Sequence, residues 1–234
     1  MNARINTYAL RQTTIESANL GVLGSIAHPI AEDGAYAGAV FQRGVEITRF
    51  RLTVDAKFTN TQVDVDLSKL DPDHQCPEKH RSAHEFELKS KGFAVLYVSE
   101  GPGEFHVVLT RLGETQKMEF DSRTLKSSDL FIATMLRPGE YAMVDQLGKA
   151  KGRISVAYPK VGKEPYRPGE PARVAVSPEA FKPSEVKIGA AQAVVFSIET
   201  PKSAIQVKLE KPDDGPKTET PGRVRWTKPA ASEK

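Results

Sequence analysis

Apolar residues return at every second position through most of this chain, and no stretch of helical length keeps the 3.6-residue period of an amphipathic helix. Val45 and Ile47 share one parity while Phe50, Leu52 and Val54 share the other, which predicts a bulge or bend near Thr48. Val63, Val65 and Leu67 alternate with Gln62, Asp64 and Asp66, which should face out. Residues 93–98 form a continuous apolar run, predicted as a strand buried on both faces. Phe105, Val107 and Leu109 follow Gly101-Pro102-Gly103, a strong turn signal. Further strand segments fall at residues 130–135, 141–144, 154–158, 174–176, 193–198 and 205–209. The helix candidates are about residues 13–20, with Thr13 or Thr14 as cap, and a turn near Pro77. Short turns without intervening crossover helices predict an all-β fold, an antiparallel sandwich or barrel.

Charge and proline divide the chain. Lys160 to the end carries 14 basic and 10 acidic residues, against 19 and 20 before it, and 11 of the 16 prolines lie at Pro159 or later. Pro159, Pro165, Pro168 and Pro171 each fix φ and lack a donor, so they mark an extended connector. The expected organisation is an extended arm over 1–36, a β-sandwich domain over 37–158, a connector over 159–171, a smaller β unit over 172–210 and a flexible tail over 211–234. The smaller unit either stands alone or completes the first sandwich. At 39% apolar and 27% charged, the chain has the composition of a folded protein and not of a disordered one. No run of about 18 apolar residues could span a membrane, and the first residues lack the apolar core of a secretory signal. A single cysteine precludes an intramolecular disulfide and points to a reducing, cytoplasmic setting.

Two stretches resemble cupredoxins, the Greek-key copper sandwiches. One begins Val176-Ser-Pro178-Glu-Ala-Phe181-Lys-Pro183, continues through Val186-Lys-Ile188-Gly189 and is followed by Val194-Val195-Phe196. It is similar to that family's opening pair of strands. The other, Leu136-Arg-Pro138-Gly139-Glu-Tyr141 followed by Gly152-Arg-Ile154-Ser-Val156, is similar to the closing hairpin. The resemblance implies a Greek-key, cupredoxin-like or immunoglobulin-like sandwich. It does not carry over the copper site, because residues 145–151 contain no Cys, His or Met where the family places its ligands. The closing hairpin also precedes the opening pair in this chain.

The one cluster with metal chemistry is His74, Cys76, His80 and His84, four strong ligands within eleven residues. If Pro77 starts a helical turn, His80 and His84 share a face, and the set suits Zn or Cu. Asp71, Asp73 and Glu78 could orient the imidazoles. The competing reading is a surface loop in which His84 begins a strand beside Phe86 and Leu88 and points inward, away from any metal. His28 and His106 are isolated in sequence, and His106 should point opposite to Phe105 and Val107. Cys76 has no positioned base to make it a nucleophile.

No P-loop, nucleophile elbow, dinucleotide fingerprint, zinc-protease motif or EF-hand loop is present. Arg223, Arg225 and Trp226 could grip nucleic acid, but a net charge of +3 is a small basic footprint. The reading preferred for them is an anchor in a partner protein. The function expected is therefore a non-catalytic binding or assembly subunit, with a protein partner or homo-oligomer and no nucleic acid. A metal-binding protein using the His74–His84 loop is the alternative.

Overall fold

A computed structural model describes residues 6–70, 84–113, 116–159, 165–213 and 215. Strands make up 54% of the described residues and helix 3%, so the all-β expectation holds. The helix expected near residues 13–20 is absent. A five-residue helix, α1 (Thr7–Arg11), lies earlier, because the Asn6 side chain accepts from the amides of Tyr8 and Ala9 and so caps it. Residues 14–16 instead form a strand, with Ile15 buried.

The strands, in chain order, are β1 (Thr14–Glu16), β2 (Gly24–Pro29), β3 (Gly34–Gln42), β4 (Val45–Val54), β5 (Gln62–Asp66), β6 (Glu85–Leu88), β7 (Phe93–Tyr97) and β8 (Phe105–Arg111). Then follow β9 (Lys117–Asp121), β10 (Leu130–Thr134), β11 (Gly139–Asp145), β12 (Lys151–Ala157), β13 (Ala172–Val176), β14 (Phe181–Lys182), β15 (Glu185–Gly189), β16 (Ala193–Ile198) and β17 (Ile205–Pro212). They form three sheets, ordered β1-β17-β11-β12-β15, β14-β13-β16-β10-β2-β7-β5 and β6-β4-β3-β8-β9.

The sandwich expectation is overturned: the strands wind as a β-solenoid of about four turns. From β4 to β7 the chain changes sheet at every step, so β4 pairs parallel with β6 and β5 parallel with β7. The same winding recurs where β12 pairs parallel with β15 and β13 with β16. Short turns suggested hairpins, but a turn of a few residues serves equally to carry the chain across to another sheet. Alternation within each strand is blind to which of these happens.

The two windings belong to two copies of one motif. β1–β8 and β9–β17 repeat the same pairings: β3 with β4 and β8, as β11 with β12 and β17; β2 with β7, as β10 with β16. Side chains repeat with them. Tyr36 and Tyr141 are buried at equivalent places, and each hydroxyl donates to the carbonyl four residues earlier, on Glu32 and Arg137. Burial raises the pKa of both phenols. Gly34 and Gly139, two residues before each Tyr, share the positive φ that a side chain disfavours.

The copies exchange their first strands. β1 of the first copy pairs with β17 of the second, and β9 of the second pairs with β8 of the first. Residues 14–36, expected in an extended arm, are therefore β1, β2 and the start of β3. The unit expected over 172–210 is likewise woven into sheets with β10, β11 and β12. Within the expected connector, residues 165–171 carry no strand. The predicted bend near Thr48 is present as a register shift between Val40 and Phe41, opposite Thr48 and Glu46. Gly38 sits where a Cβ would come within 2.3 Å of the Phe50 ring, so this position needs glycine for space.

The copies join where β2 pairs antiparallel with β10. Ile26 faces Phe131, its own counterpart, while Ser25 faces Ile132 and Ala27 faces Leu130. A local two-fold axis thus passes through the Ile26–Phe131 pair. Beside it, His28 Nδ1 donates to Asp129 at 2.7 Å with both residues buried, and the imidazole stacks on Phe120 of the second copy at 4.3 Å. His28→Ala should leave a buried carboxylate short of its donor and lower the unfolding free energy by about 3–5 kcal/mol, read by urea denaturation at neutral pH. Tyr36→Phe and Tyr141→Phe should each cost about 1 kcal/mol, nearly equal if the two copies are built alike.

Candidate functional site

His74, Cys76 and His80 lie outside the described residues, as do Arg223, Arg225 and Trp226. His84 is described and takes the inward alternative. It is 4% exposed just before β6, and its Nδ1 lies 3.0 Å from the Arg49 carbonyl, an oxygen that only accepts, so the imidazole donates. Among the described residues no three His, Cys, Asp or Glu side chains come together to hold a metal ion; three of the four expected ligands lie outside them. His28 proves to be part of the junction between the copies, with a partner 101 positions away. No helix among the described residues is long and apolar enough to cross a membrane.

A polar cleft of about 550 Å³ opens between the copies, lined among others by Glu16, Arg43, Glu104, His106, Arg123 and Lys208. His106 points away from Phe105 and Val107, as its parity required, yet is only 7% exposed because it stacks on Phe41 at 4.6 Å. Burial, reinforced by the Arg123 cation, lowers its pKa, and the Asp121 carboxylate only partly offsets this. The charged groups are largely committed to each other: Arg43 to Glu104 at 3.1 Å and Arg123 to Asp121 at 2.7 Å. Asp121 and Asp66 both sit below the usual carboxylate range. In each, hydrogen bonds outweigh the opposing effect of burial, from Arg123 in one case and from Ser68 and Ser99 in the other. Such a cleft holds charges in place more than it offers them for proton transfer.

The larger feature is the outer face of the seven-stranded sheet. Residues 93–98 are not buried on both sides as expected. Ala94, Leu96 and Val98 are in the core, while Phe93 is 37% exposed and Val95 and Tyr97 are half-buried on the other face. The register extends this face across the sheet. One row reads Arg173, Val195, Ile132, Ser25, Tyr97, Asp66, and the next reads Lys182, Ala175, Ser197, Leu130, Ala27, Val95, Asp64. Val95, Leu130, Ile132 and Val195 are partly exposed and lie outside the hydrophobics that pack on the core. The outward positions of the other sheets mix charged and polar residues, such as Arg49 and Arg51 on β4, Arg153 and Ser155 on β12 and Gln206 and Lys208 on β17, with exposed apolar ones such as Val45 on β4 and Met118 on β9. The sequence signal for this face was the loss of alternation in residues 93–98 and 193–198, where apolar residues also occupy the outward parity.

No known protein family, curated protein or solved structure matches the chain. The cleft has a measurable signature. Arg123→Gln should move the His106 titration midpoint upward in an NMR pH series, since it removes a nearby cation and leaves the Asp121 carboxylate unpaired. The sign for stability follows. Well above pH 6.5 the imidazole is neutral in folded and unfolded chains, and nothing is lost. As pH falls through that value the unfolded chain takes up the proton first, so this histidine makes the fold less stable toward acid.

Proposed function

We propose that this chain is a non-catalytic binding subunit that assembles with protein through the outer face of its seven-stranded sheet. The observation that carries the reading is the predominantly apolar centre of that face, where Val195, Ile132, Leu130, Ala27, Val95 and Tyr97 lie on adjoining strands and the two serines Ser25 and Ser197 are the polar residues among them. Contiguous apolar surface rimmed by polar groups marks protein contact, whereas singly scattered apolar residues do not. Charged residues stand only at its two edges, the distribution of an interface with an apolar core and a polar rim. The mutual pairing of charges in the cleft agrees with a binding role and favours no reaction. The resemblance of two segments to cupredoxins enters this reading only as likeness of local strand sequence, without a metal.

The test is substitution on the face. Ile132→Asp and Val195→Asp each place a carboxylate in the apolar row without entering the core. Unfolding free energy should change by about 1 kcal/mol or less, while the mass of the native complex, measured on protein purified from its own source, should fall to that of the single chain. A complex that survives both substitutions overturns the reading.

A further inference from the structure

Resting on that reading, we infer that the partner on this face is a second copy of the same chain, laid face to face with its strands aligned. Two independent complementarities select this occupant. The first is charge. Two rows across the sheet begin with a cation, Arg173 or Lys182, at the β13–β14 edge and end with a carboxylate at the β5 edge, Asp64 or an Asp66 that also pairs with Lys69 at 3.4 Å. Arg173, Lys182 and Asp64 are exposed. A two-fold axis parallel to the strands, lying between two such sheets, sets the β5 edge of each copy against the β13–β14 edge of the other. Both acidic edges then meet basic ones.

The second is shape. The same axis lays β10 over the β2 of the second copy, and β16 over its β7. β10 presents Leu130 and Ile132, whereas β2 presents Ser25 and Ala27. β7 presents Phe93, Val95 and Tyr97, whereas β16 presents Ala193, Val195 and Ser197. Within the two rows Ile132 therefore opposes Ser25, Leu130 opposes Ala27 and Val95 opposes Ser197, the large-on-small pattern that lets two layers interdigitate. A two-fold axis running across the strands would do the opposite, setting β7 on β7 and Asp64 on Asp64. Aligned sheets packed about 10 Å apart are an ordinary way for two apolar sheet faces to bury each other.

The charges make the inference testable with the full-length chain, because the two edges are six strand spacings apart, roughly 29 Å at about 4.8 Å each. No intrachain contact can pair them. In sedimentation velocity on purified protein, the unmodified chain should form a dimer. The variant Lys182→Glu places acid at the edge opposite Asp64, and Asp64→Lys places base at the edge opposite Lys182. Each alone should dimerise about tenfold more weakly. Mixed in equal amounts they should form a heterodimer of near-original affinity, since both opposed edges are then complementary, and added salt should diminish the difference. Circular dichroism should show the same β spectrum for all three proteins. A chain that is monomeric at every concentration overturns the inference, whether its face meets another protein or a segment of itself. So does a dimer indifferent to the reversals, or a mixture that fails to associate. If the chain alone is monomeric but Ile132→Asp still abolishes a complex with a different protein, the binding role stands and only the second copy is wrong.

Discussion

The pairing of β2 with β10 is the contact on which the rest of the molecule depends. It lies at the centre of the seven-stranded sheet and joins the two copies of the motif through their own equivalent strands. Because the pair is antiparallel and centred on Ile26 and Phe131, it imposes a local two-fold relation on everything attached to it. The exchange of β1 and β9 follows: each strand, leaving the axis, finds its place on the sheet of the other copy. Separating the copies would therefore expose two strand edges as well as the junction itself. The buried His28–Asp129 hydrogen bond lies in that junction. A buried polar pair of this kind contributes specificity of register as well as energy, since a one-residue slip of β10 would strand both groups.

The same junction creates the surface to which function is assigned. The outer face exists only because β7-β2 and β16-β10 form one continuous sheet. Neither copy alone would present more than part of the row from Val195 to Tyr97. The repeat also sets the composition of the face, apolar at its centre and charged at its ends. The two copies differ in sequence, so that one edge carries Asp64 and the other Arg173 and Lys182, and β10 is bulky where β2 is small. A strictly symmetric sequence could not carry either difference. The difference between the copies is what gives the face a direction.

Much of the fold was legible residue by residue. The alternation at Val63, Val65 and Leu67 placed β5 with its acidic positions outward. The parity change near Thr48 marked a register shift, and the inward option for His84 matched its buried place just before β6. What misled was the step from strands to architecture. A continuous apolar run at residues 93–98 has two meanings, burial on both faces or one face left for a partner, and composition alone cannot separate them. The repeat escaped notice because it is carried by few identical residues. Gly34-Ala-Tyr36-Ala37 and Gly139-Glu-Tyr141-Ala142 are its clearest trace. Most other equivalences conserve only burial.

The sequence by itself determined that the chain is built of strands, which side of most strands enters the core, and that helices play almost no part. These are local properties, set by period-two alternation and turn residues acting over a few positions. Only the tertiary structure decided which strands pair. It turned apparent hairpins into a winding path, an apparent arm into β1 and β2, and an isolated histidine into half of the bond between the two copies. The physical reason is that pairing is settled by contacts between residues about a hundred positions apart, such as His28 with Asp129 and Ile26 with Phe131. Nothing in the neighbourhood of either residue announces its partner.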